Sequence, residues 1–295
     1  MRRVILLTGT PILAKPIEIF NLLRIIRPDI FTSQSVFGYR YCDPKQTQYG
    51  TDWSGNDHMS ELHFLLQNSL MIRRLKNEVL SDLPAKRRQK IVVTTDKRRA
   101  NAVHELISKN RDQISKFLDK SNTNLDSLFE RVEEAQKVDG EEEQPKINIL
   151  DCFARAYRAT GEAKFKGILD FIDTLLDGNV KFLLYAHHTQ LIDDLEGHLK
   201  KREKKGGYVR IDGKTSPKVR MSRVVEFQSQ NKILVALVSI TAGCHGFTLT
   251  AASTVVFAEM FWTPGIMAQA EDRAHRISQN NAVTIYYLFG ERTLD

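Results

Sequence analysis

The sequence predicts an α/β protein in which residues 161–295 fold as a parallel sheet with helices on both faces, preceded by a largely helical region. Three observations carry this prediction. From Gly161 onward, short apolar runs alternate regularly with helical stretches, the pattern of strand–helix units stacked into a parallel sheet. The longest apolar run, Ile233-Leu-Val-Ala-Leu-Val238, has the length of a strand buried on both faces. The Gly, Ser and Thr loops cluster after the strands, at Ala186-His187-His188, Ile211-Asp212-Gly213 and Ser239 through Gly246. In parallel sheets the carboxyl ends of strands are where ligands bind.

In order along the chain, residues 1 to about 30 read as strand, turn and helix: Val4–Leu7, then Thr8-Gly9-Thr10-Pro11, then an amphipathic stretch to Ile26. Residues 31–70 are loop-rich, with Asp43-Pro44 and Trp53-Ser54-Gly55-Asn56 as turn chemistry. A helix is expected from Ser60 to Leu80, and a long polar one over 98–136. The acidic run from Val138 to Pro145 reads as an exposed loop, followed by a helix from Lys146 to Arg158. The regular part then predicts helix 162–177, strand 181–186, helix 189–204 and strand 208–211. Helix 216–228 follows, capped by Ser216 with Pro217 in its first turn. Strands 233–239 and 254–258, a helix from 264 and strand 283–289 complete the set.

A length of 295 residues allows roughly two domains. No apolar run approaches the ~20 residues that cross a bilayer, so no membrane partner is expected. Net charge is +7, and residues 71–99 alone hold ten Lys/Arg against three acids, so the basicity is local and suits a polyanion. Cys42, Cys152 and Cys244 form no CxxC pair, which points to a reducing compartment. No metal site is read: His187 and His188 are adjacent on a strand and should point to opposite faces, and Cys244 with His245 is not a ligand pair.

The segment from Gln269 to Gln279 is the most informative. Thr263 and Pro264 can open a helix that meets no breaker before Ile277. On that helix Gln269, Arg273 and Arg276 fall at i, i+4 and i+7, sharing one face. Two permanent forked cations suit the oxygens of a phosphoryl group in transfer. The plainer alternative is a solvated face on which Glu271 and Asp272 balance the arginines. Gly213-Lys214-Thr215 resembles the end of a phosphate-binding GxxxxGK[ST] loop, but the first glycine would have to stand at Tyr208, so a turn is the better reading. No other phosphate loop occurs, nor an Asp-Glu pair to hold magnesium.

Four segments, in order, resemble a two-lobed helicase-type motor. Leu6-Leu-Thr-Gly-Thr-Pro11 resembles motif III. Leu70-Met-Ile-Arg-Arg-Leu-Lys-Asn-Glu-Val79 with Leu83-Pro84-Ala85-Lys86 resembles the Swi/Snf signature. Ser239-Ile-Thr-Ala-Gly-Cys-His-Gly-Phe-Thr-Leu249 resembles motif V, and 269–279 resembles motif VI. Within the Swi/Snf family of superfamily 2, Arg40-Tyr-Cys42, Trp53-Ser-Gly55, Ala186-His-His188, Arg210-Ile-Asp-Gly213, Phe257-Ala-Glu259 and Phe261-Trp262 resemble the annealing-helicase branch that acts at stalled replication forks.

The resemblance implies two RecA-like lobes with ATP and Mg2+ between them, held mainly by a first lobe of which this chain has only the end. Residues 1–30 would be that end, 31–160 the family's helical insertion and linker, and 161–295 the second lobe. Arg273 and Arg276 would be arginine fingers, with Gln269 ordering their motif. Gly243 and Gly246 would let the backbone approach nucleotide and the facing lobe, and Thr8, Gly9 and Thr10 would couple nucleotide state to lobe movement. Ser239, Thr241, His187 and His188 would touch duplex or branched DNA through its phosphates. Arg73, Arg74 and Lys76 would contact DNA or the other lobe, or form a solvated helix face. Trp262 is expected to pack rather than to stack on a base. The resemblance further implies a nuclear protein that meets replication-fork proteins through regions outside this span, and a chain that by itself hydrolyses no ATP. The alternative is a catalytically inactive, basic DNA- or protein-binding module derived from such a motor.

The chain departs from the family pattern at Ser278, where glycine is usual, at Thr241, where many members have arginine, and at Thr263, where asparagine is usual. Ser278 matters if that backbone needs a positive φ.

Overall fold

The computed structural model describes residues 3–47, 50–80, 82–110, 149–244 and 246–295. The chain divides into two compact units, residues 1–81 with 113–134 and residues 82–112 with 135–295.

In the first unit a 3-10 turn, Pro16–Ile19, leads into α1 (Phe20–Ile26), followed by α2 (Gln34–Tyr41). The hairpin strands β1 (Lys45–Thr47) and β2 (Gly50–Asp52), then α3 (Met59–Leu65) and α4 (Lys76–Val79), complete it. Its core gathers Phe20, Leu23, Phe31, Phe37, Tyr41 and Leu62. Gly38 lies flat beneath Trp53, where an added Cβ would stand 2.3 Å from the indole. A Cβ on Gly55 would stand 2.5 Å from the Cys42 carbonyl. The strings around Cys42 and Trp53 are therefore one packing unit. Burial there pushes the Cys42 thiol up to about 11, which keeps it an unreactive core residue.

Two expectations fail in this unit. Val4–Leu7 forms no strand, and Ile5 and Leu7 stand exposed. A strand needs lateral partners for its N–H and C=O groups, and no described residue supplies them. The helix expected over Ser60–Leu80 widens into a π-turn at Leu66–Leu70, closed by the 2.8 Å bond from Met71 N to the Leu66 carbonyl. Met71 then turns extended, so Arg73 and Arg74 stand outside any helix.

The second unit is built on six parallel strands: β3 (Lys86–Val93), β4 (Phe182–Ala186), β5 (Gly207–Ile211), β6 (Ile233–Ser239), β7 (Thr254–Phe257) and β8 (Val283–Gly290). Their order is β3-β8-β7-β4-β6-β5. Every residue of β4, β6 and β7 is buried, as a sheet covered on both faces requires. Alternation splits the core in two. Leu184 and Ala186 face one cluster, with Ile168 and Ile172 of α7 (Phe165–Asp177) and Leu195 of α8 (Thr189–Lys201). Leu183 and Tyr185 face the other, with Phe227 of α9 (Pro217–Ser229) and Met267 and Ala270 of α10 (Pro264–Glu271). Each fully buried Leu, Ile or Phe among them contributes about 1.5–3 kcal/mol. Ser216 caps α9 through the Val219 N–H, with Pro217 in the first turn.

Strand β3 has no counterpart in the sequence reading. Its first residues, Lys86-Arg87-Arg88-Gln89-Lys90, belong to the basic stretch 71–99, yet the main chain pairs with β8 from Lys86↔Val283 through Val93↔Gly290. Charged side chains are what an exposed sheet edge carries to refuse further pairing. The unit therefore reaches back to residue 82, upstream of residue 161. After β3, α5 (Lys97–Lys109) is capped by Asp96, whose carboxylate accepts from Arg99 N at 3.0 Å. The rest of the helix expected to 136, and the acidic run 138–145, lie outside the described residues. The helix expected over 146–158 is α6 (Ile149–Ala163). No helix among the described residues is long and apolar enough to cross a membrane.

Candidate functional site

The helix expected to run to Ile277 ends at Glu271. Beyond it the chain turns mainly on i→i−3 bonds, Arg273 N to the Ala270 carbonyl at 3.2 Å and Ala274 N to the Glu271 carbonyl at 3.1 Å, with one longer i→i−4 bond from His275 N to the Glu271 carbonyl at 3.3 Å. Thr263 takes the N-cap position, but its hydroxyl makes no capping bond. Ser278 then adopts φ 84°. Gln269, Arg273 and Arg276 consequently do not share a helix face, and tertiary contacts aim the two guanidiniums.

Both guanidiniums reach the loop after β6. Arg273 is only 6% exposed; its Nε donates to the Gly243 carbonyl at 2.8 Å, and its guanidinium lies 5.9 Å from the centre of the Phe247 ring. Arg276 is half-buried and donates through Nη1 to Thr248 Oγ1 at 3.1 Å and to the Gly246 carbonyl at 3.3 Å. Its partners are neutral oxygens, and among the described residues no carboxylate pairs with it. A guanidinium cannot shed its charge, so the site keeps at least one positive charge that no described residue neutralises.

The loop is shaped to receive them. Ser239 Oγ accepts from Ala242 N at 3.2 Å and lies 3.5 Å from the Thr241 hydroxyl; Ser239 is buried and Thr241 exposed. A Cβ on Gly243 would stand 3.0 Å from the Tyr185 ring, whose hydroxyl donates to the Ala270 carbonyl at 3.1 Å. Gly243 thus has a packing reason to be glycine. Gly246 has open space around it and no such steric demand.

Glu271 is the residue that sequence reasoning missed. It is 1% exposed and takes Arg88 in a fork, Nε to Oε1 and Nη2 to Oε2, both at 2.7 Å. Lys86 Nζ adds a bond at 2.9 Å, and the Tyr287 hydroxyl donates as well. Burial alone would push this carboxyl up; Arg88, Tyr287 and Lys86 outweigh it and hold it below the usual range. Glu271 and Asp272 therefore do not serve mainly to balance the neighbouring arginines. Lys86 also reaches Asp272 at 3.3 Å, and His275 Nε2 meets the Pro84 carbonyl at 2.7 Å.

Known proteins resemble this chain along its whole length. A SNF2-related domain matches residues 1–143, and a helicase conserved C-terminal domain matches residues 163–278. The SWI/SNF-related matrix-associated actin-dependent regulator of chromatin subfamily A-like protein 1 of Xenopus laevis is 39% identical over 295 residues. The chain belongs to the Swi/Snf family. That alignment takes in all of this chain and 28% of the Xenopus protein. The DNA annealing helicase and endonuclease ZRANB3 of Mus musculus is 37% identical, over all of this Swi/Snf chain and 25% of its own length. The chain therefore spans about a quarter of these relatives. The crystal structure of the C-terminal part of the Fun30 ATPase domain shares the fold, with a TM-score of 0.50 at 18% identity over 72% of this chain and 86% of that one.

The histidine pair of this Swi/Snf chain differs from expectation. The strand ends at Ala186, and the two rings do not point to opposite faces; both pack on Tyr157, at 5.5 Å for His187 and 4.5 Å for His188. Trp262 completes the cluster 4.5 Å from Tyr157, a packing role. Beneath them Glu259, 2% exposed, accepts from His187 N at 2.6 Å and His188 N at 2.9 Å and pairs with His188 Nδ1 at 2.6 Å. Burial opposes ionisation of Glu259, but the His188 contacts hold its carboxyl low. Burial, with His188 adding to it, pushes His187 down to about 4, so its ring is neutral at neutral pH.

The remaining candidates are set apart. Asp212 accepts from Lys214 N at 3.0 Å and from Thr215 Oγ1 at 2.9 Å, so this turn already binds its own carboxylate where a phosphate loop would bind an anion. In the first unit, Thr10 N donates to Thr8 Oγ1 at 3.1 Å in an exposed turn around Gly9. Arg73 and Arg74 are exposed and Lys76 opens α4. No cluster of three or more His, Cys, Asp or Glu that could hold a metal occurs among the described residues.

Proposed function

We propose that this chain is the C-terminal motor portion of an ATP-dependent double-stranded DNA translocase of the annealing-helicase kind, acting in the nucleus on branched DNA such as stalled forks. The observation that carries this reading is the convergence of Arg273 and Arg276 on the Gly243–Thr248 loop with positive charge left over. Two guanidiniums suit the developing charge of a phosphoryl transition state. The described residues hold no phosphate loop and no magnesium carboxylates, so ATP and Mg2+ belong mainly to a first lobe. In this reading residues 1–30 complete that lobe, 31–160 are the family's insertion and linker apart from β3, which joins the sheet of the second lobe, and 161–295 are the rest of that lobe. Gln269 orders the finger segment, and Thr8, Gly9, Thr10, Gly243 and Gly246 couple nucleotide state to movement.

DNA phosphates would be met by Ser239, Thr241, Arg73, Arg74 and Lys76 and by the loop that carries His187 and His188. Exposure favours Thr241, Arg73 and Arg74, and the neutral His187 would contribute shape and hydrogen bonding but no charge. Replication-fork proteins would be met outside this span.

The test is steady-state ATPase in the full-length protein. Arg273→Ala and Arg276→Ala should each lower kcat about 10³-fold or more while DNA affinity holds. Normal turnover with weakened DNA binding would reverse the assignment. The second reading, a catalytically inactive DNA- or protein-binding module, draws on the left-handed Ser278 in place of glycine. It predicts no turnover in the unaltered full-length protein.

A further inference from the structure

The Leu83-Pro84-Ala85-Lys86 signature and the segment that carries Arg273 and Arg276, about 185 residues apart, meet at one carboxylate. Three residues of the finger segment are tied to the start of β3. Glu271 is held by Arg88 and Lys86, Asp272 by Lys86, and His275 by the Pro84 carbonyl. These anchors stand two residues before, one before and two after Arg273. They bracket the end of α10 at Glu271, where i→i−3 bonds from Arg273 and Ala274 replace regular helix and only the 3.3 Å bond from His275 N to the Glu271 carbonyl continues the i→i−4 pattern. A helix would orient its side chains by its own geometry; a run of turns is oriented by whatever grips it.

Fold stability alone is a poor explanation for this arrangement. A buried ion cluster is often matched or exceeded in stability by apolar side chains of the same volume. What a forked Arg–carboxylate pair adds is a fixed direction, because two parallel bonds lock the plane of the carboxylate. Tyr287 closes the remaining approach to the same oxygen that Arg88 Nε holds.

We propose that Lys86 and Arg88 are positioning residues for Arg273 and Arg276, holding the turn after α10 through Glu271 so that both guanidiniums stay over the Gly243–Thr248 loop. The catalytic consequence rests on the ATPase reading above; the mechanical one does not. Arg88 is the residue to change, because its side chain is 55% exposed and Arg88→Gln leaves the core packing in place.

Hydrogen exchange on the 295-residue chain reads the mechanical part. Arg88→Gln and Lys86→Gln should each speed amide exchange over residues 272–279 about tenfold, while β4 and β6 exchange at the parent rate. Arg88→Lys, which keeps the charge and loses the fork, should fall between. Unchanged exchange over 272–279 would overturn the proposal, and so would an equal rise in β6, which would mean simple destabilisation of the unit. In the full-length protein Arg88→Gln should lower kcat about tenfold and leave the KM for ATP within about twofold. An unchanged kcat despite local loosening would also overturn it. Absence of turnover in the unaltered protein would sink the ATPase reading, and the exchange result would still judge the brace.

Discussion

At φ 84° Ser278 holds a left-handed backbone, which costs a residue bearing a Cβ about 1–2 kcal/mol. Glycine escapes that cost but gives up about 0.5–1 kcal/mol more conformational freedom on folding. The Ser278 side chain is exposed, and its hydroxyl lies 3.3 Å from the Thr250 hydroxyl, a contact worth about 0.5 kcal/mol at most. The balance makes Ser278→Gly stabilising by about 0.5 kcal/mol, or about 1–2 °C in Tm. The order of a series discriminates better than that small shift. Glycine should be most stable and serine next, with alanine equal to or just below serine. Valine should lose more than about 1 kcal/mol, because β-branching fits a positive φ worst. Urea unfolding followed by Trp262 fluorescence in a Trp53→Phe background reads the second unit. A valine variant as stable as the parent, or glycine less stable than alanine, would show that this backbone is not strained.

Two further outcomes follow from the Glu259 cluster. A Cβ on Gly161 would stand 2.7 Å from Glu259 Oε1, so Gly161→Ala should cost about 1–3 kcal/mol, whereas Gly197→Ala in α8, with open space, should gain up to about 1 kcal/mol; urea midpoints compare the two. His187 titrates near 4 when folded against 6.5 when free, so the unfolded chain takes up the proton first. Its contribution is complete above pH 6.5 and is lost as pH falls toward 4, to a ceiling of about 3 kcal/mol. His187→Phe should flatten the stability profile between pH 6.5 and 4.5, above the range where the low-titrating Glu259 facing it takes up a proton. Parallel profiles for parent and variant would refute that account.

Strands β4, β6 and β7 were legible because a strand buried on both faces is apolar almost throughout, as Ile233–Val238 is. Strand β3 was not, because main-chain pairing at an edge makes no demand on side chains, and Lys86 through Lys90 is a charged and polar run in which nothing local shows that Lys86 and Arg88 turn to Glu271. The end of α10 was equally hidden. Nothing between Ala268 and Ile277 is a helix breaker, so the helix stops for tertiary reasons that local propensity does not encode. Arg273 and Arg276 were found from their residue type and company, but their aim was not, since the Gly243 carbonyl that fixes Arg273 lies 30 positions upstream. Glu271 was legible as a charge, but its partners Lys86 and Arg88, 185 and 183 positions upstream, were not. The Glu259–His188 pair, 71 positions apart, leaves no local pattern at all.

Strand β3 also determines where this polypeptide can be divided. A cut at residue 161, where the strand–helix rhythm begins, would strip eight residue pairs from β8 and open an apolar edge to other chains. It would also leave Glu271 buried without Lys86 and Arg88, and an uncompensated buried charge costs about 3–5 kcal/mol. Because β3 is made long before β8, the sheet cannot close during synthesis until the last strand arrives, so the nascent chain carries an unpaired basic edge for most of its length. Those lysines and arginines, which refuse other strands by charge, give that waiting edge its protection.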